Sequence, residues 1–101
     1  NLGAVMTKTG STEKEYLGPI RIVVVQRGWV HVGYLSREGD EMVIRKAKTI
    51  RRWGTTSGLG ELSNGPTKDT VLDIGGTIRL HPLMIVQTYD VDDSKWEEHL
   101  A

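Results

Sequence analysis

The stretch Arg51-Arg52-Trp53-Gly54-Thr55-Thr56 is the part of this sequence best equipped for chemistry. Guanidinium groups hold phosphate oxygens bidentately. An indole face stacks a nucleobase, which is worth about 1–3 kcal/mol per base. Glycine allows close backbone approach, and threonine supplies hydroxyl donors. Arg45 and Lys48 precede the stretch on the same expected strand and extend its positive charge. The sequence therefore predicts an anion or nucleotide site formed by Arg45, Lys48, Arg51, Arg52, Trp53, Thr55 and Thr56. The structural alternative is a solvated strand end with Trp53 in the core.

Other chemistries lack their residues. There is no cysteine, hence no thiol nucleophile, disulfide or Cys-ligated metal. Gly58-Leu59-Gly60 lacks the third glycine of a dinucleotide fingerprint, because position 63 is Ser. His31, His81 and His99 are far apart and form no His-x-His or His-Glu-x-x-His pair. No Gly-x-Ser-x-Gly elbow occurs. Asp92 and Asp93 stand where a helix N-terminus favours anions. The expectation is a non-enzymatic binding protein with no cofactor and no metal.

The charges are unevenly placed. Thirteen basic residues balance thirteen acidic ones, so a protein that coats DNA is not expected. Between Arg21 and Arg52, however, eight basic residues face three acidic ones. Between Asp90 and Glu98, five acidic residues face Lys95. A basic middle allows a focused anion site. The acidic end can lie on that middle in its own chain or in a neighbouring subunit.

The elements that must position these groups are short. Ile20 to Arg27 has period two, with Ile20, Ile22 and Val24 on one face and Arg21, Val23, Val25 and Arg27 on the other. Trp29 to Leu35 alternates again, setting Trp29 and His31 opposite Val30, Val32 and Tyr34. Ser36 to Glu41 reads as a hairpin, and Met42 starts a strand that runs to Ile50 with a slip near Lys46-Ala47, the mark of a bulge. Leu59 and Leu62 suggest one helical turn in a loop-like insert from Gly54 to Thr67. Gly75-Gly76 reads as a second hairpin, and Leu83 to Val91 as a last strand. Ser94-Lys95-Trp96-Glu97 fits a capping box opening a short C-terminal helix. The expected fold is α+β, mostly β: a small antiparallel barrel with a short helical insert and a short C-terminal helix. At 101 residues the core is small, so a homo-oligomer is expected.

Residues 1–18 are expected to be a flexible N-terminal segment, touching the fold through Tyr16 and Leu17. Residues 1–5 precede the first Met, so they read as an expression-derived extension. Residues 19–101 form the single β-rich domain. No apolar run approaches the roughly 18 residues of a membrane span, and no secretory core precedes the domain. A cytoplasmic location without membrane contact is expected.

Two resemblances bear on function. Val32-Gly33-Tyr34-Leu35, then Gly39-Asp40-Glu41-Met42-Val43-Ile44 and Ala47, resemble the first motif of Sm-like proteins. That resemblance implies a barrel of SH3/Sm-like type and, in one reading, an RNA-binding module. No second Sm motif is recognisable. Over a longer span, Ile20 to about Val91 is similar to a group of small phage and prophage proteins. The pattern is a Val-Gly-Tyr-Leu strand, a charged hairpin, an Ala-x-x-Ile-Arg-x-Trp segment from Ala47 to Trp53, then Leu59, Leu62 and Gly65. This implies a phage-encoded protein acting in the host cytoplasm. The expected function is inhibition of host antiviral defence, by sequestering a nucleotide signal or by blocking a host defence protein. A structural virion or assembly component is the other role the phage setting allows.

Overall fold

The computed structural model describes residues 17–56 and 58–100. The expectations for residues 1–16, including the contact of Tyr16, lie outside the described residues. Five strands form one antiparallel sheet: β1 (Ile20–Val25), β2 (Val30–Glu38), β3 (Glu41–Arg52), β4 (Val71–Leu80) and β5 (Ile85–Asp90). Their order is β4-β3-β2-β1-β5. A helix, α1 (Asp93–Leu100), ends the described chain. The fold is thus mostly β, as the alternation predicts. Among the described residues the two edge strands, β4 and β5, share no ladder.

The β-branched run of β1 lies between β2 and β5 and is covered on both faces. Ile20 and Ile22 are fully buried on one face, and Val23 on the other. The first face carries the main core, where Ile20, Ile22, Val30, Val32 and Ile50 meet Leu59, Leu62, Trp96 and Leu100. The insert turn is a 3-10 helix, Leu59–Asn64. Gly60 within it disfavours an isolated helix, so burial of Leu59 and Leu62 supplies the stabilisation. Trp96 locks this layer by donating its indole Nε1–H to the Leu62 carbonyl at 2.8 Å. The opposite face carries a second cluster, Val23, Val25, Ile44 and Ala47, with Leu35, Ile78, Leu80 and Ile85 packed against it.

The slip predicted near Lys46-Ala47 is a bulge. Lys46 has φ 54°, and the pairing of β3 with β4 shifts between Ile44 and Ala47 and again before Lys48. The extra residue puts Ile44 and Ala47, three apart, into the same cluster. Gly33 of β2 faces this bulge. A Cβ there would lie 2.6 Å from Ile44 Cγ2 and 3.0 Å from both Ala47 Cα and the Arg45 carbonyl oxygen. The Val-Gly-Tyr-Leu motif thus has a steric cause: only glycine lets the two backbones approach.

The β2–β3 hairpin forms as expected, with Glu38 opposite Glu41 across Gly39-Asp40. The hairpin expected at Gly75-Gly76 does not form. Both glycines lie inside β4, with Gly76 paired to Ala47. A Cβ on Gly75 would stand 3.2 Å from the Ala47 carbonyl oxygen, so the pair accommodates the bulge instead of turning the chain. The capping box is also displaced. Asp92 Oδ1 accepts from the Ser94 N–H at 3.1 Å and from its hydroxyl at 2.6 Å, while Ser94 lies within α1. A carboxylate just before the helix is the stronger acceptor, and these bonds hold Asp92 below its usual pKa.

Candidate ligand site

The seven residues expected to form one site are spread along β3 and the loop after it. Arg45 is half-buried at the hairpin end. Its guanidinium ion-pairs with Glu38 and reaches Ser36 Oγ at 3.3 Å. Glu38 also receives Arg79 Nη1 at 3.0 Å, and the two guanidiniums hold its carboxyl below the ordinary glutamate pKa. Arg45 borders a cleft of about 470 Å³ with Leu17, Pro19 and Leu35, which contains no exposed aromatic ring. Lys48 lies on the main-core face opposite Val32 and Ile74, and it borders a different groove with Leu100.

The Trp53–Thr56 loop is occupied by its own chain. Thr70 Oγ1 donates to the Trp53 carbonyl and Thr67 Oγ1 to the Gly54 carbonyl, each at 2.6 Å. A Cβ on Gly54 would sit 2.3 Å from the Asp69 carbonyl carbon, so glycine is required there. The Thr56 N–H donates to Glu61 Oε1 at 2.9 Å, which places a carboxylate where a phosphate was expected. Thr55 is half-buried. Trp53 is 43% exposed, so it is not the core tryptophan; Trp96 is. Arg52, beside it, is exposed and has no ion pair among the described residues.

Arg51 alone of the seven opens onto a cleft with complementary chemistry. The register aligns His31 with Thr49 and Thr49 with Asp73, across β2, β3 and β4. Period two then brings Trp29, two residues before His31, beside Arg51, two residues after Thr49. Arg27, Trp29, Thr49, Arg51 and Asp73 border a cleft of about 320 Å³. The Trp29 ring is 61% exposed. Arg51 Nε holds Asp73 Oδ2 at 3.0 Å and Oδ1 at 3.3 Å. Arg27 adopts φ 72° and ψ 13° inside the Gln26–Gly28 turn, a conformation disfavoured for any side chain with a Cβ. Beneath the cleft, His31 Nδ1 lies 3.0 Å from Thr49 Oγ1 and fixes that hydroxyl. Burial lowers the His31 pKa, which favours the uncharged ring.

The sequence places the Trp–Arg chemistry at Trp53. The structure also brings a second exposed tryptophan, Trp29, to the cleft that Arg51 borders, together with Arg27, Thr49 and Asp73, which the sequence pattern did not single out. The usable signal was the shared face of Trp29 and His31, already visible in the alternation. The acidic C-terminal segment contacts the first residue of the basic stretch in its own chain: Arg21 Nε, on β1, pairs with Asp90 Oδ1 at 3.1 Å. No group of three or more His, Asp or Glu side chains among the described residues is placed to hold a metal. Nor is any helix there long and apolar enough to cross a membrane. A comparison with protein-family models finds no match, and a comparison with curated proteins finds none.

Proposed function

We propose that the protein is a non-enzymatic, phage-encoded binding protein that takes a nucleotide into the Trp29–Arg51 cleft. In the host cytoplasm it sequesters a nucleotide signal of antiviral defence. The phage setting rests on the similarity carried by Val32–Leu35 and Ala47–Trp53. The ligand reading rests on one observation: an exposed indole, two guanidiniums, a fixed hydroxyl and a carboxylate converge on one cleft. These groups suit binding: a stacking face, phosphate donors and a hydrogen-bond acceptor.

The test is calorimetry on the full chain with a panel of nucleotides, cyclic oligonucleotides and cyclic ADP-ribose isomers. Binding is expected for at least one, and Trp29→Ala is expected to weaken it about tenfold or more, the stacking contribution. Because the ring is largely exposed, the unfolding temperature should stay unchanged. No heat with any ligand would remove the reading.

Trp53 supports a second reading, an Sm-like barrel that binds RNA. It offers another stacking face beside the exposed Arg52. That reading requires RNA affinity that falls steeply with salt, because phosphate contacts release counterions.

A further inference from the structure

The charge balance of the Trp29–Arg51 cleft narrows what it can hold, given the nucleotide reading above. Arg27 has no ion pair among the described residues, and Arg51 contacts Asp73 through Nε alone. The two terminal nitrogens of Arg51 therefore have no protein partner among the described residues. Two guanidiniums against one carboxylate leave a single positive charge. Burial lowers the pKa of His31, which is bonded to Thr49, and so disfavours a further positive charge there.

A phosphate monoester carries about −1.5 to −2 charges at pH 7, and a diphosphate more. A phosphodiester carries one. The excess charge of a monoester or polyphosphate would stand beside the Asp73 carboxylate, which repels it. Asp73 is an acceptor only, so it requires a donor from the ligand, an exocyclic amine or a ribose hydroxyl. Arg51 presents its terminal pair as a fork matched to two phosphate oxygens. A volume of about 320 Å³ lies near the small end of ligand cavities, roughly 300–1,000 Å³.

We infer that the cleft takes one nucleoside phosphodiester unit. Its base stacks on Trp29, its diester oxygens meet Arg51 and Arg27, and a donor group meets Asp73. A cyclic mononucleotide and a short oligonucleotide share this chemistry.

The experiment titrates the full chain, and its Asp73→Asn variant, with 3′,5′-cyclic AMP, the dinucleotide ApA, AMP and ADP. At least one diester is expected to bind wild type about tenfold tighter than AMP or ADP, the scale of one partly screened charge. Preference between the two diesters identifies the source of the unit. Asp73→Asn is expected to raise AMP and ADP affinity and erase the preference. AMP or ADP binding wild type as tightly as the tighter-binding diester overturns the inference and leaves the nucleotide reading standing. So does an unchanged preference in Asp73→Asn. No binding of any probe to a chain that unfolds cooperatively overturns the inference, and the nucleotide reading falls with it when the wider panel above also gives no heat.

Discussion

Arg27 is held at φ 72°, in the left-handed region, at the rim of the cleft. A left-handed residue with a Cβ costs about 1–2 kcal/mol, which glycine avoids. The neighbouring Gly28 has the same sign of φ, at 84°, without that strain. Strain kept at an exposed basic residue points to a use for its side chain. Arg27→Gly is therefore expected to stabilise the fold by up to about 1 kcal/mol in urea denaturation while weakening nucleotide binding. Unchanged affinity would mean that the guanidinium takes no part in the site. His31 makes a separate prediction. Its folded pKa lies below the ordinary value near 6.5, so the unfolded chain binds the proton more readily. This contribution to stability is complete above about pH 6.5 and is lost as pH falls through the lowered folded value. An NMR titration of the His31 ring should show a midpoint below the ordinary one. A midpoint at or above it would contradict the buried, neutral ring.

The element that organises the molecule is β3, with its bulge at Lys46. It joins the two clusters, pairs with both β2 and β4, and delivers Thr49 and Arg51 to the cleft. Gly33→Ala should disturb it, because two of the three close atoms are backbone and cannot swing aside. A loss of about 1–3 kcal/mol, the usual cost of overpacking, is expected from the urea midpoint with the slope unchanged. A loss below about 0.5 kcal/mol would show that the bulge adapts.

What the sequence made legible follows from which signals are local. Period two in Ile20–Val25 and its slip at Lys46-Ala47 are chain-local, and both were readable. Gly75-Gly76 was not, because a turn and a strand facing a bulge ask the same freedom of glycine. Only Ala47, opposite, decides between them. The capping acceptor was two places off because Asp92, Asp93 and Ser94 all suit a helix start. The pairing of Arg51 with Asp73, 22 residues away, is a property of register and has no local mark. The same holds for the tryptophans. Which of Trp29, Trp53 and Trp96 is covered depends on where α1 and the insert come to lie.

On the scale of the whole molecule, the margins of β4 and β5, which have no ladder partner among the described residues, demand an account. Edge strands left unpaired are ordinarily blunted by lysine, proline or a short length. β4 runs for ten residues and contains neither lysine nor proline, nor does β5. The single basic residue on them, Arg79, is engaged with Glu38 and Glu41 of the β2–β3 hairpin. Exposed apolar side chains gather at the same places: Ile74 on β4 is 86% exposed, Val86 on β5 is 61%, and Leu83 just before β5 is 78%. The central strands β1, β2 and β3 show no comparable side chain among the described residues. Such edges favour self-association through the sheet margins. Sedimentation of the full chain should therefore report an oligomer. Ile74→Lys combined with Val86→Lys should give a monomer with the same far-UV spectrum and cooperative unfolding, because neither residue is buried within the subunit. A wild-type chain that sediments as a monomer even at millimolar concentration would refute the edge argument. Dissociation that also unfolds the double variant would instead make the small core dependent on its neighbours.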